Sequence, residues 1–115
     1  MKRFSGVIGI QQGSRVLFSD FATSGPMWAG SGSREVRVRQ DFAEPFVEPP
    51  SVMVGLSMWD MDHGTNSRVD IQAEKITATG FDFVFRTWAD SKIARVRADF
   101  TAIGLTRDED SWDVV

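Results

Sequence analysis

Residues 79–104, TGFDFVFRTWADSKIARVRADFTAIG, decide how the chain folds. Phe81, Phe83 and Phe85 alternate with Asp82, Val84 and Arg86, the period of two that a strand with one buried face requires. After Ala89-Asp90-Ser91-Lys92 the alternation resumes, with Ala94, Val96, Ala98, Phe100 and Ala102 set against Arg95, Arg97, Asp99 and Thr101. The pattern predicts a β-hairpin, with Trp88 where its first strand runs out. An indole there, beside Asp90, offers a ligand a flat apolar face next to a hydrogen-bonding group.

Outward from this stretch, residues 68–76 read as a strand with Val69, Ile71 and Ala73 facing in and Arg68, Asp70, Gln72 and Glu74 facing out. Residues 60–67, DMDHGTNS, form a turn cluster. Residues 52–59 are apolar on both faces apart from Ser57, which predicts cover by the core on one side and a neighbouring protomer on the other. Residues 44–50 carry Pro45, Pro49 and Pro50, which cannot donate ladder hydrogen bonds in a central strand. Residues 35–42 alternate Val36 and Val38 with Arg37 and Arg39, another strand. Residues 19–34, SDFATSGPMWAGSGSR, predict a long loop pinned by Trp28. At the start, residues 4–10 predict a strand, residues 11–14 a turn, and residues 15–18 a further extended piece. No segment sustains a helical period. The expected fold is all-β, a six-stranded antiparallel sandwich over residues 1–104, with an acidic tail over residues 105–115.

A chain of 115 residues supports one core, and its net charge of -3 argues against nucleic acid or an anionic membrane surface as partner. There is no cysteine, hence no disulfide framework. The N-terminal apolar run breaks at Gln11 and Gln12, too short for a signal peptide, and no stretch approaches the ~20 apolar residues that span a bilayer. The expectation is a soluble chain with no visible export address and no membrane insertion. His63, the one histidine, lies in a turn with Asp60 and Asp62 at no metal-ligand spacing. No nucleophile–base set, nucleotide-binding glycine motif or carboxylate pair singles itself out, so neither catalysis nor a cofactor is expected. Arg37, Arg39, Arg86, Arg95 and Arg97 fall on outward positions of three strands. On one sheet they need interleaved carboxylates, for which Asp70, Glu74, Asp82 and Asp99 are available, and such an ionic layer would suit a seam between protomers.

Several separate motifs then fall into one order. Pro49-Pro50-Ser51-Val52-Met53-Val54-Gly55-Leu56-Ser57, Asp60, Asn66, Arg68-Val69, Thr79-Gly80-Phe81 and Thr87-Trp88 together resemble the H-type lectin family, that of the snail agglutinins, the discoidin C-terminal domains and bacterial relatives. The resemblance implies a trimer, or a hexamer built from trimers, acting in cell adhesion. It implies galactose- or N-acetylgalactosamine-type sugars bound between protomers without a metal bridge. The family's sugar-contacting arginine falls on Arg68, its aromatic from the neighbouring protomer on Trp88, and the polar positions after that aromatic on Ala89 and Asp90. Its acidic loop residue falls on Ser31 or Gly30, its histidine on Ala89 and a further aromatic on Ala94, three departures from the pattern.

Read without the resemblance, Trp88 is equally a strand-end residue packed into a seam between protomers, and Arg68 equally an ion-pair partner of Asp60 or Glu74. Two functions therefore stand: a sugar-binding module, and a trimeric adhesive or structural component that keeps the fold alone.

Overall fold

The computed structural model describes residues 1–107. Six strands and one short helix follow in the order β1 (Ile8–Ser19), α1 (Pro26–Ala29), β2 (Arg34–Asp41), β3 (Ser51–Met61), β4 (Asp70–Glu74), β5 (Gly80–Thr87) and β6 (Ile93–Leu105). They form two antiparallel three-stranded sheets, ordered β1-β6-β3 and β2-β5-β4, stacked as a β-sandwich. All six strands are thus present, with α1 a single turn inside the expected long loop.

The expected hairpin is corrected. β5 and β6 lie in different sheets, β5 between β2 and β4 and β6 between β1 and β3. Each is a central strand with both edges taken, so neither has an edge left for the other. They meet face to face instead. Phe81, Phe83 and Phe85 point from β5 onto Val96, Ala98, Phe100 and Ala102 of β6, all within one buried core. Large side chains on one sheet fill the space left by small ones on the other, the interdigitation a close-packed sandwich needs. The rings of Phe81 and Phe100 lie 5.3 Å apart, and Phe18 of β1 meets Phe85 at 5.3 Å.

The turn expected at residues 11–14 is also absent, because β1 continues through it and pairs Gln12 with Thr101 and Gly13 with Phe100. Gly13 makes this possible, since a Cβ there would stand 2.8 Å from the Phe100 ring. β3 packs Val52, Val54 and Leu56 on the core but leaves Met53 57% exposed and Trp59 61% exposed. β6 extends through Leu105, one residue past the expected end of the domain, and residues 108–115 of the expected tail lie outside the described residues.

The arginines divide between the sheets. Arg37, Arg39 and Arg86 lie on the outer face of β2-β5-β4, whereas Arg95 and Arg97 belong to β6 and bond Asp60 and Ser57. The single five-arginine layer is therefore corrected to a smaller ladder. In it, Arg37 meets Asp82 at 3.1 Å and Glu74 at 3.0 Å, and Arg86 meets Glu74 at 3.0 Å and Glu35 at 2.9 Å. Hydrogen bonds from Arg37 and then Arg86 outweigh partial desolvation and hold the Glu74 carboxyl below its ordinary range.

Candidate functional site

The chain crosses from one sheet to the other through residues 88–92, and most of the expected site residues gather around this crossing. Alternation along β5 sets the directions. Arg86 faces outward, Thr87 is buried, and Trp88 faces outward again with 43% of its surface exposed. Ala89 then adopts φ 60, the left-handed conformation that turns the chain toward β6.

Two sets of hydrogen bonds hold the crossing. On one side, the Ala89 carbonyl accepts the Gly32 N–H at 2.8 Å and Arg34 Nη2 at 3.3 Å. Arg34 also donates through Nε to Gly32 O at 3.0 Å and through Nη1 to Met27 O at 3.1 Å and Pro26 O at 3.3 Å. This one guanidinium ties the loop of residues 20–33 to the crossing at Gly32, the residue that follows Gly30 and Ser31. Gly30 must be a glycine there, because a Cβ would lie 2.5 Å from the Pro26 carbonyl oxygen. Trp28 pins the same loop, edge-on to Phe21 at 4.9 Å with the Lys92 ammonium 5.5 Å from its ring centre.

On the other side, the buried Ser91 hydroxyl accepts the Arg68 N–H at 2.9 Å and donates to Asn66 O at 2.6 Å. The Thr87 hydroxyl donates to Arg68 O. Arg68 is thus fixed at the crossing, where Nη1 reaches Asp90 Oδ1 at 2.7 Å. Its partner is Asp90, not the expected Asp60 or Glu74, which pair with Arg95 and with Arg37 and Arg86. Partial burial pushes the Asp90 carboxyl up. Hydrogen bonds from the Asn66 N–H, its own N–H and the Asn66 side chain, with the Arg68 charge, outweigh that and hold it below the ordinary carboxylate range. Asp90 therefore stays an anion in neutral and mildly acidic solution.

Trp88 borders a cleft of about 360 Å³ lined also by Ser33, Arg34, Glu35, Arg86 and Thr87. Arg34, Glu35, Thr87 and Ser91 are the residues that sequence reasoning missed. The signal for Thr87 and Ser91 was present as hydroxyls flanking the crossing in otherwise apolar alternation. Nothing local marked Arg34 or Glu35: the first works through backbone carbonyls of the preceding loop and of Ala89, the second through cross-strand register with Arg86. His63 is fully exposed 3.9 Å from Asp62, and among the described residues no three His, Asp or Glu side chains converge as a metal site would require.

Residues 37–103 match the H-type lectin domain. The Fuscovulum blasticum protein "ATP synthase subunits region ORF 7" is 59% identical over 99% of this chain and 99% of its own length. A discoidin-1 polypeptide of Dictyostelium discoideum is 40% identical over 66% of this chain, which spans only 30% of that polypeptide. The structure of recombinant discoidin II of the same organism superposes with a TM-score of 0.74 at 25% identity, covering 93% of this chain and 40% of that one.

Proposed function

The chain belongs to the H-type lectin family, and from that premise we propose that it is a non-catalytic binding module for galactose- and N-acetylgalactosamine-type sugars. The observation that carries this reading is the exposed indole of Trp88 on the same crossing as the Arg68–Asp90 pair. A pyranose presents an apolar C–H face and a rim of hydroxyls. An indole suits the first, and a guanidinium with five fixed donors beside a carboxylate suits the second. Asp90 orients Arg68, while the short side chains at Gly30, Ser31 and Ala89 let the ligand come close to the backbone. Copies of the chain assemble as a trimer, or as paired trimers, in which Trp88 of one protomer faces Arg68 of the next, and repeated weak sites gain avidity on a glycan-bearing surface.

Calorimetric titration with methyl galactoside and N-acetylgalactosamine tests the assignment. Binding is expected in the wild type and is expected to weaken at least ~10-fold in Trp88→Ala, since truncating an aromatic anchor of a binding site costs about 2 kcal/mol or more. A folded wild-type protein that binds neither these sugars nor any glycan on an array sinks the proposal.

A second reading, assembly without sugar binding, is favoured by exposed apolar residues at one end of the outer face of the β1-β6-β3 sheet, where Ile10 is 63% exposed and Met53 57% exposed. It predicts an intact oligomer that binds no glycan.

A further inference from the structure

The resemblance expects an acidic side chain in the loop at residues 30–31, where this chain has only Gly30 and Ser31. We propose that Glu35, at the start of β2, supplies a ligand-facing carboxylate that accepts a sugar hydroxyl beside Trp88; the inference rests on the sugar-binding reading above.

The register carries the argument. Glu35 stands directly opposite Arg86, and β5 alternation puts Arg86 and Trp88 on one face, so the Glu35 carboxylate and the indole border a single cleft. The carboxylate is oriented and yet only half used. Oε1 accepts from Arg86 Nε at 2.9 Å, and Arg86 is held in turn by Glu74 Oε2 at 3.0 Å. Oε2 comes no closer than 3.9 Å to Arg37 Nε, beyond hydrogen-bond distance, and the side chain is 43% exposed. Asp90 is differently placed, because Oδ1 is taken by Arg68 and Oδ2 faces both nitrogens of Asn66. A fixed acceptor beside an aromatic platform binds a sugar hydroxyl with little ordering cost. The same anion disfavours a ligand carboxylate placed directly beside it, against the attraction of Arg34 and Arg86 in the same cleft.

Titration of wild type and Glu35→Gln with methyl galactoside, its monodeoxy analogues and methyl galacturonate tests this directly. Loss of a hydrogen bond to a charged acceptor is expected to weaken methyl galactoside about ten-fold or more in Glu35→Gln. One monodeoxy analogue should lose a similar factor against wild type and nothing further against the variant, a coupling that loss of the Arg86 contact alone does not produce. Galacturonate should bind relatively better to the variant. Equal affinities of wild type and Glu35→Gln, with Trp88→Ala still abolishing binding, overturn the role of Glu35 and leave the lectin reading standing. Uniform weakening across the deoxy series also overturns it. No binding of any sugar by wild type overturns both.

Discussion

At Ala89 the backbone holds φ 60, with its carbonyl locked by Gly32 and Arg34. Left-handed backbone costs an L-residue about 1–2 kcal/mol, whereas the extra freedom of glycine in the unfolded chain costs roughly 0.5–1 kcal/mol. The first term is larger, so Ala89→Gly is expected to stabilise the fold by up to ~1 kcal/mol in urea denaturation. Net destabilisation by the substitution shows that the Ala89 methyl contributes packing that its exposure does not suggest. Arg34 is the complementary case: its hydrogen bonds to four carbonyl groups reach three separate segments of chain, and no charged partner is needed for its role.

Among the elements, the β2-β5-β4 sheet joins two chemistries on one central strand. Its inner face is three phenylalanines, and its outer face places Asp82 and Val84 under the Arg37, Arg39, Glu74 ladder. The folded-state pKa of Glu74 is lowered, so its contribution to stability is fully present above the unfolded carboxyl pKa and is lost as pH falls through the lower folded value. Denaturation midpoints are expected to be level from pH 7 to about pH 5 and to decline below about pH 4.3. Glu74→Gln should flatten part of that decline. An unchanged acid slope in the variant removes Glu74 as a contributor. The lowered pKa of Asp90 has the same sign, so the Arg68–Asp90 pair persists through mild acid.

For the whole molecule, the outer face of β1-β6-β3 is where association is to be sought. Ile10, Ile103 and Met53 fall on neighbouring rows of that sheet, and Ile10 and Met53 are more than half exposed. Light scattering is expected to give three times the 12.8 kDa protomer mass, and Met53→Asp to shift it toward 12.8 kDa. A wild-type monomer, or a trimer indifferent to Met53→Asp, removes this face as the seam. The sequence alone determined the five strands after the first, the inward phenylalanines, the anchoring Trp28 and the family, because each is written in local alternation or in motifs at fixed spacing; β1 was broken by an expected turn that the structure does not contain. It also placed Trp88 beside Asp90, which are local in sequence, but Arg68 reaches Asp90, rather than the Asp60 or Glu74 that the sequence offered, only through the fold. Only the tertiary structure decided that β5 and β6 face each other across the core, because alternation fixes which side of a strand is apolar and not which strand lies beside it. The same limit hid Glu35, whose partner Arg86 is 51 residues away, and the contact of Arg34 with Ala89, 55 residues away, since cross-strand register exists only once both sheets have formed.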